Sequence, residues 1–396
     1  MTYSGNKTTF FSAAFSLISI FAASATPIPL YRQYQQIDSV SYYELSLSSV
    51  VYFVGAVTAL VVFGRLSDHF GRRNISVISL LLSVAAMLSL LQVHSAAPLL
   101  MGRLLQGLSC GLASTALAAW VVDCARSVPG WLVPAVVSCG PMTGLTAGGI
   151  VSGILVEYGP LPRQMPFFLV LLLLIICIAA LGKAHETVEK KPGALVSLIP
   201  RFALPHDAKV AFPRAAVTFV CTWALGGFFQ AFGPAMASEQ LNSSNAVAAA
   251  MVFASIMAPA AIGALIAGKM NALAAQRAGM LSFALFVLIL LFTLRVHALN
   301  AFLLASILAG IAQGVVLTGS IRTMVDKVDL ADRASVLSVI YATSYTGAAV
   351  PTLIAGYFSS VLGLFWVATG YGALALMGAL LILVLKPKTG DDLYDR

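Results

Sequence analysis

The stretch GRLSDHFGRRN, residues 64 to 74, places Arg65, Asp68, Arg72 and Arg73 within eleven positions. Carboxylate and guanidinium groups this close can form charge-assisted hydrogen bonds. Asp68 can also accept from amides at a helix N-terminus, where the helix dipole favours an anion. Gly64 and Gly71 allow tight turns and close backbone approach. A solvated turn accounts for the arginines, but not for the glycines or the acid between them. Two other places could do chemistry. Arg103 stands alone in a long apolar run, where a cation costs roughly 2.5–3.5 kcal/mol near the centre of a membrane helix. There it could bias a nearby carboxylate toward its charged form and respond to its protonation, or snorkel toward the nearer membrane surface. Gly107-Leu108-Ser109-Cys110-Gly111 satisfies GxSxG, the nucleophile-elbow pattern. That motif needs a strand–turn–helix and a histidine in reach. This copy lies within an apolar run, and all five histidines (69, 94, 185, 206, 297) sit in loops or at run ends.

The elements that must position these residues follow from composition. The chain has 396 residues, 59% of them hydrophobic and only 10% charged, against roughly 25% charged in soluble proteins. So much apolar surface must face lipid or other membrane helices. Runs long enough to cross a bilayer lie near 10–30, 44–63, 75–93, 98–122, 131–156 and 166–182, then near 214–237, 246–267, 279–294, 300–320, 335–358 and 361–385. This is an all-α integral membrane protein with twelve transmembrane helices in two six-helix bundles, 1–182 and 214–396. A cytoplasmic linker, 183–213, joins the bundles. Ala23-Ser24-Ala25 fits a signal-peptidase site, but the apolar run continues through Pro27-Ile28-Pro29-Leu30, so it reads as a retained first span.

With the N-terminus inside, nineteen Lys and Arg residues fall in cytoplasmic segments and three, Arg32, Arg163 and Arg295, outside. The positive-inside rule then places both termini in the cytoplasm. The +8 net charge is thereby explained without nucleic acid. Cys110, Cys124, Cys139, Cys177 and Cys221 form no CxxC pair and read as small core residues, not as a disulfide framework or metal site. No cofactor is expected.

The halves echo each other. Gln106-Gly107 recurs as Gln313-Gly314, 207 residues on; Asp123 recurs as Asp326, 203 on; Gly64 and Arg73 recur as Gly268 and Arg277, 204 on. A duplicated six-helix unit is the architecture of a two-bundle transporter.

Gly64, Leu66, Asp68, Gly71, Arg72 and Arg73 match the G-x-L-a-D-r-x-G-r-r signature, and here the whole chain resembles the major facilitator superfamily. The resemblance implies that this loop latches the bundles, with Asp68 meeting the eleventh helix and Arg72 pairing with Asp123. Arg103, Gln106 and Gly107 resemble the family's R-x-x-q-G motif of helix 4, implying a part in proton coupling. Gly140, Pro141, Gly144, Gly148 and Gly149 resemble the helix-5 motif of its drug:proton antiporter branch, with a longer gap between GP and GG. Gly144/Gly148 and Gly149/Gly153 also have GxxxG spacing, which permits close packing with no transport role. In the family, helices 1, 4, 7 and 10 line the substrate cavity. Trp223, Phe228, Phe229, Gln230 and Gln313 are therefore candidate substrate contacts, with Tyr341 and Tyr345 on one face of helix 11.

The expected function is secondary transport by alternating access in the cytoplasmic membrane, as a monomer. Its form would be proton-coupled export of small amphipathic drugs or metabolites. The alternatives are proton-coupled uptake of a sugar, siderophore or organic acid and, from another class, a membrane-embedded hydrolase using Ser109. Four carboxylates come nearest to a proton-carrying position: Glu44, Glu157, Asp123 and Asp68.

Overall fold

The computed structural model describes residues 6–189, 192–199, 204–326, 328–329 and 332–385. Lys190, Lys191, Arg201, Lys327, Lys386, Lys388 and Arg396, counted among the basic residues above, lie outside these. Every regular element among the described residues is helical, and twelve helices are long and apolar enough to cross a membrane. In chain order they are α1 (Lys7–Ile37), α2 (Tyr42–Val62), α3 (Arg72–Leu90), α4 (Ala96–Asp123), α5 (Leu132–Tyr158) and α6 (Met165–Gly182). The rest are α7 (Ala208–Gln240), α8 (Ala246–Gly268), α9 (Ala272–Arg295), α10 (Leu299–Val325), α11 (Ser335–Leu362) and α12 (Leu364–Val384).

The caps follow from local sequence. The Asn6 side chain accepts from Thr9 N at the start of α1, and Ser41 and Glu44 form a reciprocal capping box on α2. Asn271 caps α9, which begins seven residues before the apolar run near 279. The polar Gln276 is tolerated in that first stretch because its Nε2 donates to Ser320 Oγ of α10 at 3.1 Å.

Two compact units emerge. One lies within residues 1–200 and includes Asn245–Ala254, the first part of α8; the other lies within 201–244 and 255–396. The most buried helices are α1, α7, α4 and α10, with 89, 78, 61 and 56% of their apolar windows buried. Of these, α4, α7 and α10 carry Arg103, Trp223, Gln230 and Gln313.

The repeat is visible in the packing. In the first unit a Cβ on Gly55 would press on the Leu104 carbonyl and Leu108 N, and one on Gly107 on the Tyr52 carbonyl. In the second, a Cβ on Gly263 would press on the Ile311 carbonyl and Val315 N, and one on Gly314 on the Ala260 carbonyl. The same reciprocal backbone contact thus joins α2 to α4 and α8 to α10. Only glycine permits such an approach.

The charged loop is not copied in the same way. In the first half it contains the short helix Leu66–Phe70 and then Gly71 at φ +96°. In the second half, Lys269 and Met270 separate α8 from the Asn271 cap, and a Cβ on Gly268 would meet nothing within 4 Å.

Candidate functional site

Arg72 is the hub of the charged loop. Its Nη1 donates to Asp68 Oδ1 and to Ser67 Oγ, both at 2.6 Å, and its Nε donates to Asp123 Oδ2 at 3.1 Å. Asp123 Oδ2 also accepts from Thr187 Oγ1 at 2.8 Å. The structure therefore brings Asp68, Arg72 and Asp123 into one network. Arg73 is exposed and takes part through its backbone.

The partner that sequence reasoning missed is Glu186, just beyond α6. Its two carboxylate oxygens accept from the backbone amides of Arg72 and Arg73, each at 3.0 Å. These are free donors at the N-terminus of α3, where an anion is favoured. The carboxylate fits because Gly71 has no side chain; a Cβ there would lie 2.5 Å from Glu186 Oε2. Gly71 thus serves both its positive φ and this close approach. Arg65 anchors the same region, donating from Nη2 to the carbonyls of Ser197 (2.9 Å) and Ile199 (2.8 Å), at the end of the short helix Ala194–Ser197.

Inside the membrane span, the site is built around a break in α1. Pro27 has no N–H for the Ala23 carbonyl, and Gln106 Nε2 donates to that oxygen at 2.8 Å. The Ser24 carbonyl accepts from Arg103 Nη1 at 2.7 Å, and the Thr26 carbonyl from Ser152 Oγ of α5 at 2.6 Å. Arg103 Nη1 also donates to Gln106 Oε1 at 2.8 Å, and its guanidinium lies 4.5 Å from the centre of the Tyr52 ring. Arg103 is fully buried, so the snorkelling alternative does not describe it. Its Nε and Nη2 have no partner among the described residues.

Each carboxylate considered as a proton carrier has a partner already. Glu44 caps its own helix, Glu157 Oε2 accepts from Ala246 N at 2.7 Å, and Asp68 and Asp123 bind Arg72. A further ion pair, missed in the sequence, joins the nearly buried Asp38 at the end of α1 to Arg163, which also donates to the Val93 carbonyl at 2.9 Å.

The α5 glycines face two neighbours. Gly144 and Gly148 abut the α1 backbone at Ile18 and Ala22, whereas Gly149 faces Phe253, and Gly153 Ala246 and Ala250. Gly140 lies against Ile18 more loosely, and Pro141 is accommodated inside the helix.

The cavity candidates separate. Trp223 and Tyr345 pair with ring centres 4.8 Å apart, and Tyr341, one turn from Tyr345, is exposed. Gln313 is nearly buried with an unpartnered Oε1, and Gln230 is nearly buried as well. Phe228 and Phe229 are packed inside the second unit, Phe228 against Phe232 and Tyr371 and Phe229 against Phe302. Here they act as core side chains. Ser109 bonds to the Ser79 carbonyl (2.7 Å) and to Ser83 Oγ (2.8 Å) mid-helix, a helix-to-helix contact and not a nucleophile elbow.

These features define a multi-pass, two-unit helical membrane protein with a charged interhelical loop tied to its linker. The chain belongs to the Major Facilitator Superfamily, whose family profile matches residues 9–273 and, in a second match, 215–393. It is a transporter of that family. Among solved structures it is similar to the xylose transporter XylE from E. coli (TM-score 0.71, 13% identity, 96% of each chain). It is also similar to the nucleoside transporter NupG (TM-score 0.73, 10% identity, 95% of this chain and 99% of that one) and to a D-xylose–proton symporter (TM-score 0.70, 15% identity, 96% and 99%). At such identities the likeness is one of fold. By sequence, 68 residues are 32% identical to the multidrug resistance protein MdtL of Klebsiella pneumoniae subsp. pneumoniae, and 31% identical to MdtL of Klebsiella pneumoniae strain 342. The chain spans 17% of the length of these curated relatives.

Proposed function

We propose that this transporter exports small amphipathic compounds, drugs or metabolites, in exchange for protons. It would work by alternating access of two six-helix bundles, 1–182 and 214–396, joined by the cytoplasmic linker 183–213. The observation that carries the coupling reading is Arg103: a fully buried cation, held against the broken α1 at the Ser24 carbonyl and by Gln106, with its Nε and Nη2 nitrogens left without a hydrogen-bond partner among the described residues. A charge so costly to bury marks function more often than packing. The partial match to MdtL supports export. In this reading the loop of Gly64, Asp68, Gly71, Arg72 and Arg73, with Asp123, is the gate latch. Trp223, Tyr345, Tyr341, Gln230 and Gln313 are the first substrate contacts to test, ahead of Phe228 and Phe229.

Dye accumulation tests the reading directly, in cells lacking their own efflux pumps. Energised cells making the wild-type chain should hold less ethidium, and an uncoupler should abolish the difference. Arg103→Ala should lose the effect at wild-type membrane levels. Unchanged dye in energised wild-type cells would count against broad export. A second reading, proton-coupled uptake, is favoured by the likeness in fold to a D-xylose–proton symporter. Labelled-sugar uptake that collapses with the proton gradient would support it instead.

A further inference from the structure

Within the first unit, the stretch beyond α6 turns an apolar side outward. Gly193, at φ +93°, leads into the short helix Ala194–Ser197. Leu195, Val196 and Ile199 are 81, 66 and 64% exposed, whereas Ser197 is buried. The three apolar residues stand at i, i+1 and i+4, on one side of a helical turn. Water is a poor solvent for such a cluster, and its place in the fold says what else is near. Arg65 donates to the Ser197 and Ile199 carbonyls. Arg65 itself lies in the short link between the end of α2 at Val62 and the start of α3 at Arg72. A single side chain thus holds the segment to the ends of two membrane spans, beside a headgroup layer roughly 5–7 Å deep. Charge agrees with this setting. The stretch 183–209 carries Lys183, Lys190, Lys191, Arg201 and Lys209 against Glu186, Glu189 and Asp207, and Glu186 is already taken up by the α3 amides.

We propose that this segment is a membrane-surface anchor: Leu195, Val196 and Ile199 enter the bilayer beside the α2–α3 link, and the basic residues around them favour anionic phospholipid. Exposed aliphatic side chains flanked by Lys and Arg are the pattern of interfacial segments. Each basic residue near an anionic surface adds to the attraction. A soluble acidic partner would meet the charges and leave three aliphatic side chains in water at the level of the headgroups. Through Arg65 the anchor ties the lipid surface to the loop that carries Asp68 and Arg72. Anchoring here does not depend on the direction of transport or on proton coupling.

Depth can be read directly on the full chain in lipid nanodiscs. Of the five cysteines only Cys139 is not buried, so Cys139→Ser gives a background in which Val196→Cys carries the fluorophore NBD. Glu189→Cys, at an exposed polar position of the same stretch, is the control. The discs are of phosphatidylcholine, alone or mixed with phosphatidylglycerol. A doxyl-labelled phospholipid quenches from the lipid side and iodide from the water side. Doxyl lipid should quench the label at position 196, and iodide should quench it severalfold less than the label at position 189 in the same discs. Phosphatidylglycerol should strengthen the doxyl quenching. Leu195→Asp combined with Ile199→Asp should return position 196 to the pattern of position 189, with thermal stability unchanged because both side chains are exposed. Equal iodide quenching at the two positions would overturn the proposal. So would shielding of position 196 from both quenchers, which would mark protein over the segment, and doxyl quenching that phosphatidylglycerol leaves unchanged.

Discussion

Glu186 holds the amino end of α3 with both of its carboxylate oxygens. Glu186→Gln keeps the shape but loses the charge facing the helix dipole, and should weaken this cap by about 1–2 kcal/mol. Faster hydrogen exchange at the Arg72 and Arg73 amides would report it, while Glu189→Gln, exposed three residues further on, should change nothing. The Arg72–Asp123 partnership was legible through family resemblance, because both residues sit in recognisable positions. Glu186 was not, because it acts across 114 residues from a polar stretch whose charges read as linker. Ser152 was hidden for another reason: its partner is a main-chain oxygen left over on a different helix, where α1 breaks and Leu30 N turns to the Pro27 carbonyl. No side-chain pattern announces such an acceptor.

Among the helices, the twelve spans were legible because lipid imposes a long apolar run on each one. The start of α9 was not, since Gln276 interrupts the apolar signal and is stabilised by Ser320 of α10, a contact that local hydropathy does not register. The aromatic run in α7 was visible too, but only packing shows that Phe228 and Phe229 point into the unit. The reciprocal glycine contacts give a sharp prediction at this scale. Gly107→Ala and Gly314→Ala force a Cβ onto a carbonyl of the neighbouring helix and should each destabilise by about 1–3 kcal/mol. Gly268→Ala meets open space and should be neutral or stabilising by up to about 1 kcal/mol. The buried free thiols of Cys110, Cys124, Cys177 and Cys221 supply the readout: a thiol-reactive fluorophore during heating should show lower midpoints for the first two variants and not for the third.

For the whole molecule, the charge asymmetry of the sequence predicts that both termini lie in the cytoplasm. Green fluorescent protein fused after Arg396 should then fluoresce, and alkaline phosphatase fused there should stay inactive; the opposite pair of results would invert the topology. The duplication legible in Gln106-Gly107 and Gln313-Gly314 extends to the backbone contacts at both glycines, yet the loops are pinned differently: a carboxylate holds the first at the α3 amides, whereas Arg322 holds the second by donating to the Ala267 and Met270 carbonyls. The break in α1 also bears on how the protein is made. Arg103 finds its carbonyl on Ser24, synthesised 79 residues earlier, and α4 alone would carry an unpaired cation into the lipid. The first helix is therefore expected to stay beside the translocon until the fourth emerges, so that the helices of this half are released together; crosslinking of α1 to the translocon that ends before α4 is made would contradict this.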